Sequence, residues 1–361
     1  MTKSVAISGY YGYDNLGDEA ILYAMIEMLK KESPSIDINV LSASPEITAK
    51  RYGVNAILRN DFLKIMKVLK KTDLFLSGGG SLLQDVTSLR SIPYYLALVK
   101  LANILGNKTA FYAQGIGPVN KSISKKLIKW VANDTNLITL RDKDSLNLLK
   151  NIGVKEELIN LTVDPVYGLY ANDFLNSKNS LLDFKKKSEE KLVAISLRPW
   201  EDNSYLKSVI KAVDYLYERK KIKFVILPMY LDQDLEISKK LKEKMKSPAY
   251  LWKKKLTPAE MISLFSNFDF FIGVRLHSLI FAAINGIPFI GISYDPKVDS
   301  FLKDLNLKSN LSTDNCDYNK FKTVIDEFWL KREDIKEILR KEMQKKKQAA
   351  FDNIRRVLQL I

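Results

Sequence analysis

Cysteine and histidine are almost absent from this chain of 361 residues, which contains one of each, Cys316 and His277. A single cysteine excludes an internal disulfide and fits a reducing compartment, so we expect a cytoplasmic protein. One cysteine and one histidine also cannot supply the usual nitrogen and sulfur ligands of a structural zinc site, and we expect no metal. Acidic residues surround Cys316 and disfavour its thiolate form.

Long apolar runs are also absent. No run reaches the ~18 residues that a membrane-spanning helix needs, and the chain enters a strand-like segment at residues 4–8 with no signal-peptide pattern before it. With 46% hydrophobic and 27% charged residues, the composition is that of an ordinary folded protein. The length favours two domains, because single cores rarely grow beyond about 250–300 residues.

Acidic residues are outnumbered by basic ones, and the formal net charge is +15. This excess of positive charge favours an anionic partner, such as a phosphate-bearing substrate, an acidic membrane surface or nucleic acid. A lysine-rich chain with solvated helix faces explains the same charge without any partner. The charge alone does not separate these interpretations.

Apolar strand-like runs alternate with longer helical patterns along the whole chain, which is typical of parallel α/β sheets. Residues 73–78 and 269–273 each place an apolar run between an aspartate and a turn of small residues. We therefore predict an α/β fold of two Rossmann-like, doubly wound domains that face each other across a cleft. The predicted boundaries are an N-terminal Rossmann-like domain over residues 1–171, a polar linker over 172–191, a C-terminal Rossmann-like domain over 192–317 and charged helices over 318–361.

Glycine-rich turns follow two predicted strands of the first domain, at residues 9–19 and 77–85. Glycine lets a backbone bend and approach a ligand closely, and a helix start offers N–H groups to an anion or a sugar hydroxyl. Asp14, Asn15 and Asp18 supply acceptors for hydroxyl groups. The first motif lacks the glycine spacing of a dinucleotide fingerprint, and the second lacks the lysine of a P-loop. Turns that serve only capping or packing explain the same residues.

Two more strand ends of this domain carry polar side chains. Gln114 lies in a turn at residues 112–118, where a structural role is as good an interpretation as a ligand contact. Arg141 ends the next predicted strand, and an arginine at that position suits capture of a carboxylate or a phosphate. An ion pair between Arg141 and Asp142 is the structural alternative.

The sole histidine lies in the second domain, beside an arginine and directly after a predicted strand. Residues 270–272 are apolar, Gly273 makes a turn, and Arg275 and His277 precede an apolar helical segment. Open α/β sheets bind ligands at such strand ends, and imidazole titrates near neutral pH. We therefore predict that Arg275 binds a carboxylate or phosphate and that His277 moves a proton. Arg198 ends the first strand of this domain in a similar way.

Taken together, these motifs resemble the polysaccharide pyruvyl transferase family. The resemblance is closest to the type that pyruvylates the secondary cell wall polymer of Gram-positive bacteria, the anchor of S-layer proteins. The segments that carry it, in family order, are residues 9–20, 77–85, 112–118, 139–142, 275–279 and 286–301. The resemblance implies a fold like that of two-domain GT-B glycosyltransferases, in which a C-terminal helix crosses back to the first domain. The predicted linker and the charged tail are less family-like.

The resemblance also implies an activity, the transfer of an enolpyruvyl unit from phosphoenolpyruvate to a sugar as a cyclic ketal. Phosphoenolpyruvate is then a co-substrate, and no cofactor or metal is required. His277 is assigned as the acid that protonates C3 of the donor, and Arg275 assists by stabilising the leaving group. Asp14 or Asp18 is assigned as the base or as the group that orients the acceptor. We expect the donor to bind in the second domain. The residues assigned to binding of phosphoenolpyruvate are Arg141, Arg275, Leu276, His277 and Lys297. The residues assigned to binding of the acceptor are Tyr11, Asp14, Asn15, Gly79, Gly80 and Gln114.

The closest relatives imply an acceptor that contains N-acetylmannosamine, as a disaccharide on a diphosphoryl-undecaprenyl carrier. Lipid diphosphates and anionic leaflets attract lysine and arginine, so we expect peripheral contact at the inner face of the cell membrane. Residues 252–255, Trp-Lys-Lys-Lys, are a candidate for that contact or a solvated loop. We expect no nucleic-acid partner.

Two other functions share parts of this pattern. A GT-B glycosyltransferase that uses a nucleotide sugar has the same expected fold and also a sugar acceptor, and the fold alone does not separate the two. A nucleic-acid-binding protein without enzymatic activity would use the basic tail and bind in a salt-dependent way. It leaves the strand-end motifs unexplained.

Overall fold

The computed structural model describes residues 2–86, 88, 90–169, 190–220, 222–307, 309 and 311–361. The chain forms two compact units, one of Met1–Leu169 with Lys346–Ile361 and one of Tyr170–Lys345. Each unit contains a parallel sheet with helices, so the predicted α/β class with doubly wound sheets is confirmed. The predicted linker at residues 172–191 lies almost wholly outside the described residues, which resume at Glu190.

The first unit alternates strands and helices as the sequence pattern predicts. Its elements are β1 Ser4–Ser8, α1 Leu16–Glu32, β2 Asp37–Ser42, α2 Pro45–Tyr52, β3 Asn55–Leu58, α3 Phe62–Leu69, β4 Leu74–Ser77, β5 Gly80–Leu83, α4 Ser91–Ile104, β6 Lys108–Ile116, α5 Ser122–Ala132, β7 Leu137–Leu140, α6 Lys143–Asn151 and β8 Ile159–Leu161. Short 3₁₀ turns precede and follow β8, at Glu156–Leu158 and Pro165–Gly168.

The second unit repeats the alternation with a smaller sheet. Its elements are β9 Lys191–Ser196, α7 Tyr205–Arg219, β10 Ile222–Ile226, α8 Leu231–Lys244, β11 Ala249–Leu251, α9 Pro258–Phe265, β12 Phe270–Gly273, α10 Leu276–Ile284, β13 Phe289–Gly291, α11 Pro296–Asp304, α12 Tyr318–Leu330 and α13 Arg332–Leu358. The charged tail is therefore two helices that meet at Lys331, and α13 begins in the second unit and ends in the first.

Both sheets are parallel, and each reverses its strand order at one point. The first runs β3-β2-β1-β4-β6-β7-β8, with β5 also paired to β6, and the second runs β11-β10-β9-β12-β13. The order reverses between β1 and β4 in the first unit and between β9 and β12 in the second. Ligands of doubly wound folds bind at the carboxyl ends of the strands on either side of such a point.

The central strands are buried on both faces, which is why they are continuous apolar runs in the sequence. Every residue of β1, β4 and β12 is buried. Helix α10 is apolar all round and buried except at His277, whereas α3 and α5 bury only one face. Among the described residues, no helix combines the length and apolar character that crossing a membrane requires.

Candidate active site

Two arginines stand at equivalent positions beyond neighbouring strands of the second sheet. Strands β9 and β12 pair in parallel, and their register places Ser196 opposite Gly273. Arg198 and Arg275 each follow two residues after this last pair. Because β9 and β12 flank the point where the strand order reverses, both arginines leave the sheet where doubly wound folds bind their ligands.

The guanidinium of Arg275 is held by a buried carboxylate of helix α8. Its Nε and Nη2 donate to the two oxygens of Asp234 at 2.7 and 2.6 Å, and Nη2 also donates to Gln233 at 3.2 Å. Asp234 is fully buried and accepts the backbone N–H of Tyr230 as well. The bidentate edge of Arg275 therefore serves Asp234, so a ligand could reach this guanidinium only through Nη1. Only Nη1 of Arg275 has no acceptor among the described residues.

Arg198 has no counter-ion in the described part of the chain, because no carboxylate there pairs with it. Its Cζ lies 4.2 Å from the ring centre of Tyr294 and 5.2 Å from that of Trp200. Its Nε donates one long bond of 3.5 Å to the carbonyl of Pro199. The hydroxyl of Tyr205 donates to the carbonyl of Arg198 at 2.5 Å and fixes its backbone. Aromatic rings orient a guanidinium without neutralising it, so Arg198 is available to an anion.

Leu276 and His277 open helix α10 directly after Arg275, which is the N-cap. The first turn of a helix leaves N–H groups without partners in the helix, and the helix dipole favours an anion there. The side chain of Leu276 is buried, so Leu276 offers a ligand only its backbone. His277 is half-buried. The predicted imidazole therefore shares one short segment with groups that attract an anion.

Lys297 lies in the first turn of α11, after β13. Its ammonium group pairs with Asp295 at 3.3 Å, and 37% of its side chain is exposed. Tyr294 precedes this turn and packs on Trp200 with 5.1 Å between ring centres, which joins the loop after β13 to the loop after β9. Lys297 thus adds a partly compensated charge to the same edge of the sheet, weaker than that of Arg198.

In the first unit, Asp14 and Asn15 have structural partners in the loop between β1 and α1. Asn15 caps α1, and its side chain accepts the N–H of Gly17 at 3.2 Å. Asp14 has a left-handed backbone, with φ 57°, and pairs with Arg51 at 3.3 Å. Both residues remain half-buried, so these partners leave room for the predicted contact with an acceptor.

Tyr11 is fully buried, and the glycines around it make room for its ring. Its hydroxyl contacts the sulfur of Met25 at 3.7 Å. A Cβ at Gly9 would lie 2.3 Å from the ring, and a Cβ at Gly78 would lie 2.4 Å from the hydroxyl oxygen. Burial, and then the charge of Asp18, raise the pKa of Tyr11 well above its usual value. Tyr11 therefore does not fit the predicted acceptor site, and packing explains these glycines.

Gly79 and Gly80 differ in what they face. A Cβ at Gly79 would lie 2.8 Å from the side chain of Ile21, so Gly79 serves packing and does not fit the predicted acceptor contact. Gly80 has φ 101°, which other residues rarely adopt, and a Cβ there would lie 3.0 Å from Oδ1 of Asp18. The structure thus brings Asp18 and Gly80 together beside the carboxyl ends of β1 and β4.

Gln114 is fully buried, and its amide ties β6 to β4. Nε2 donates to Oγ of Ser77 at 3.0 Å and to the carbonyl of Gly78 at 3.2 Å. Strand β6 is irregular just before this residue, because its register with β7 shifts and Ala113 has φ 46°. Such irregularities re-aim a side chain. Gln114 is therefore a structural residue, which contradicts its predicted contact with an acceptor.

Arg141 forms a buried ion pair with Asp164, whose side chain is 5% exposed against 8% for Arg141. Its Nη2 also donates to Oγ of Ser81 at 3.1 Å. Burial tends to lower the pKa of Arg141, but the carboxylates of Asp164 and Asp142 outweigh burial and raise it. These contacts join β5 to the segments after β7 and β8, so Arg141 is a structural residue rather than part of the predicted donor site.

Three further expectations concern Cys316, Trp252 and metal ligands. Burial, followed by the charge of Asp317, raises the pKa of Cys316 to about 12, so the prediction of a disfavoured thiolate is confirmed. Trp252 is 4% exposed and donates to the carbonyl of Lys254, so it does not reach a membrane surface. Among the described residues, no group of three or more His, Cys, Asp or Glu side chains is placed to hold a metal ion.

Solved structures of similar fold cover nearly the whole chain at low sequence identity. UDP-GlcNAc 2-epimerase from Neisseria meningitidis, bound to UDP-GlcNAc, has 12% identity and a TM-score of 0.67 over 99% of both chains. Anabaena Alr3699/HepE with UDP and glucose has 10% identity and a TM-score of 0.65 over 99% of this chain and 100% of that one. S. aureus MnaA with UDP has 12% identity and a TM-score of 0.59 over 94% and 90%. These likenesses show the fold alone, and the predicted GT-B-like class is confirmed.

A family model described as polysaccharide pyruvyl transferase matches residues 15–296. No curated protein sequence matches significantly. The matched region spans most of the chain and includes the loop of Asp18, the turn of Gly80, Arg198 and the start of α10. This chain therefore belongs to the polysaccharide pyruvyl transferase family.

Proposed function

We propose that the protein transfers the enolpyruvyl group of phosphoenolpyruvate to a sugar of a lipid-linked cell wall precursor, as a cyclic ketal. Family membership supports pyruvyl transfer to a polysaccharide, while the donor, the lipid-linked acceptor and the role in S-layer anchoring belong to the proposal. One observation carries it: Arg198 has no counter-ion among the described residues, and it lies two residues beyond a strand that pairs with the one before Arg275 and His277.

The donor needs positive charge, because phosphoenolpyruvate carries a carboxylate and a phosphate. Among the residues that the structure describes, both Nη groups of Arg198 and Nη1 of Arg275 have no acceptor, while Asp234 holds the other edge of Arg275. The N–H groups in the first turn of α10 add partial positive charge. We assign the phosphate and the carboxylate to these three groups, with Lys297 as an outer charge. The ion pair with Asp234 then positions Arg275 before the donor arrives.

The reaction adds two hydroxyl groups of one sugar to C2 of the donor. His277 gives a proton to C3, so that the CH₂ group becomes CH₃ and C2 becomes electrophilic. One hydroxyl oxygen bonds to C2, the C2–O bond to phosphate breaks, and the second hydroxyl oxygen closes the ring. Of the two hydroxyl protons, one restores His277 and the other leaves with the phosphate. Arg198 and Arg275 stabilise the charge that develops on the leaving phosphate.

The first unit supplies our candidate groups for the acceptor. Asp18 is half-buried beside Gly80, and Asp14 and Asn15 lie in the same loop. Carboxylate and amide oxygens accept hydrogen bonds from sugar hydroxyls. We assign Asp18 as the group that orients the attacking hydroxyl, and an N-acetylmannosamine-containing disaccharide as the acceptor.

Helix α3 is the described surface that best fits peripheral contact with an anionic membrane. Phe62 and Leu63 are 58% and 71% exposed, although the helix buries Ile65 and Leu69 on its other face. Four exposed lysines follow within the helix and just after it, at 64, 67, 70 and 71. Apolar side chains flanked by lysines are typical of surfaces that insert into an anionic interface. Sedimentation with phosphatidylglycerol vesicles at low salt tests this contact, and a protein that stays in the supernatant contradicts it.

A transfer assay tests the function directly. The protein is incubated with phosphoenolpyruvate and a panel of lipid-linked disaccharides, and mass spectrometry then looks for a product with one added pyruvyl ketal together with released phosphate. We expect one acceptor of the panel to gain the ketal. If no acceptor gains a ketal and phosphoenolpyruvate remains intact, the proposal is wrong.

A glycosyltransferase that uses a nucleotide sugar is the second candidate, because the solved structures of similar fold include complexes with UDP and with UDP sugars. Thermal stabilisation by donors separates the two functions. We expect phosphoenolpyruvate to raise the melting temperature and UDP-N-acetylglucosamine to leave it unchanged. The opposite pattern favours the glycosyltransferase.

A further inference from the structure

Arg59 carries a second guanidinium that tyrosine rings hold and no carboxylate neutralises. Its Cζ lies 4.5 Å from the ring centre of Tyr94, 5.5 Å from that of Tyr13 and 5.6 Å from that of Tyr95. No ion pair to Arg59 exists among the described residues. The cation is half-buried, and cation–π contacts stabilise its position while leaving its charge intact. Such a group attracts an anion.

The backbone of Arg59 is fixed at the carboxyl edge of the first sheet. Its N–H donates to the carbonyl of Ser42, at the end of β2, at 2.9 Å. Its carbonyl accepts the hydroxyl of Tyr94, from α4, at 2.8 Å. Arg59 itself follows β3 by one residue. Strands β2 and β3 and helix α4 therefore all hold this arginine, so that little ordering is needed when a ligand binds.

An exposed pair of stacked tyrosines lies next to Arg59. Tyr10 and Tyr13 stack with 4.2 Å between ring centres and 12° between planes, and each is 37% exposed. Tyr13 is also one of the three rings around Arg59. An exposed tyrosine offers an apolar face to the C–H groups of a pyranose ring and a hydroxyl to its oxygens. The loop that carries the pair also carries Asp14, which the proposed function assigns to the acceptor.

We propose that Arg59 and the Tyr10–Tyr13 pair form an acceptor subsite that recognises a phosphate ester attached to a sugar. Arg59 binds the phosphate through charge-assisted hydrogen bonds, and the tyrosine pair packs on the sugar ring next to it. This inference rests on the proposed transfer to a sugar and adds to it a preference for an acceptor that carries phosphate. The prenyl diphosphate link of a lipid-linked disaccharide has this chemistry, whereas a phospholipid headgroup shares only the phosphate.

Equilibrium binding in the absence of phosphoenolpyruvate tests the subsite. Two ligands carry the same disaccharide, one as a short-chain prenyl diphosphate ester and one as the neutral methyl glycoside, and calorimetry measures the Kd of each. We expect the wild-type protein to bind the diphosphate at least ~10-fold more tightly than the glycoside, as the loss of one charge-assisted hydrogen bond implies. In Arg59→Gln we expect the two Kd values to become equal.

Arg219→Gln is the matched control, because Arg219 also packs on a tyrosine ring, that of Tyr215 at 5.3 Å, but is exposed on α7 in the other unit. It should keep the wild-type preference for the diphosphate. Arg59→Lys is the second variant, since it keeps the charge and loses the planar guanidinium, and we expect an intermediate preference. Circular dichroism tests whether each variant is folded. If Arg59→Gln does not fold, the preference measured for Arg59→Lys tests the subsite instead.

Three results would overturn the subsite. The first is a wild-type protein that binds both ligands equally. The second is a preference for the diphosphate that is unchanged in both Arg59 variants. The third is Arg59-dependent binding to phosphatidylglycerol vesicles by a protein that does not bind the sugar diphosphate. Because no donor is present, failure of pyruvyl transfer leaves these measurements unaffected.

Discussion

Replacing Arg141 and Arg198 by glutamine, one at a time, separates a structural arginine from an anion-binding one. Arg141 and Asp164 are 8% and 5% exposed, and removing one partner of a buried ion pair costs about 3–5 kcal/mol because the other charge stays buried. For a unit of this size, 1 kcal/mol shifts the melting temperature by about 2–4 °C. We expect Arg141→Gln to lower the melting temperature by roughly 6–20 °C and to leave the affinity for phosphoenolpyruvate unchanged wherever the protein is folded.

Arg198 should show the reverse pattern. It forms no ion pair among the described residues, and its packing consists of two cation–π contacts and one hydrogen bond of 3.5 Å. Such contacts contribute about 0.5–1 kcal/mol each at half-exposed sites, so the loss of stability is small. A charge-assisted hydrogen bond to a bound anion contributes about 1.5–3 kcal/mol. We therefore expect Arg198→Gln to weaken phosphoenolpyruvate binding roughly 10- to 150-fold.

Scanning calorimetry and isothermal titration with phosphoenolpyruvate measure both quantities on the same protein preparations. The double variant Arg141→Gln with Asp164→Asn is the control for Arg141, because it removes the stranded charge and should recover part of the lost stability. The reasoning is refuted if Arg141→Gln weakens donor binding at unchanged stability while Arg198→Gln binds like the wild type. That result would place the donor's anion at Arg141.

Three further predictions concern single residues. His277→Gln should keep the fold and donor binding and lose turnover by about 10²–10⁴-fold, as removal of a general acid does; near-normal turnover in a steady-state assay would exclude the acid role. Iodoacetamide should modify Cys316 at pH 8 roughly a thousandfold more slowly than a free thiol, because its pKa is about 12, and the rate should rise as the pH is raised; equal rates in native and unfolded protein would contradict this. Asp85 accepts the N–H groups of Asn120 and Lys121, and the first of these bonds is the main cause that lowers its pKa. Its contribution to stability is present above about pH 4 and is lost as the pH falls through the lowered pKa, so the difference in melting temperature between wild type and Asp85→Asn should shrink below pH ~4; a constant difference down to pH 2 would argue against it.

The sequence predicts the order of strands and helices well because the central strands are buried on both faces and their apolar runs are unbroken. The segments that it does not predict are short strands at the margins of the sheets. Strand β3 has four residues, none of them fully buried, and β11 has three with one buried. These segments are too short to show an alternation or a long apolar run, and pairing with a neighbouring strand is what makes them strands. Strand β5 is mostly buried, but its four residues begin with the last glycine of a glycine-rich segment, which predicts a turn.

The site is predicted less completely, since partners distant in the chain decide the role of each charge. Arg275 looks like a ligand-binding fork in the sequence, but Asp234 lies 41 residues before it and occupies that fork. Arg141 likewise forms an ion pair with Asp164. The ring of Tyr11 fills the space beside Gly9 and Gly78 that a ligand would need. Local motifs show which residues reach the carboxyl edge of a sheet. They do not show which of those residues already have a partner.

Arg59 in the first unit and Arg198 in the second have the same physical environment. Each follows the end of a parallel strand, each lies on tyrosine or tryptophan rings, and neither has a carboxylate partner among the described residues. Arg141 and Arg275 are in contrast neutralised by acids. Holding an arginine with rings instead of acids keeps it ordered and leaves its charge to a ligand. The proposed function assigns the anionic donor to Arg198, and the proposed subsite assigns the phosphate of the acceptor to Arg59.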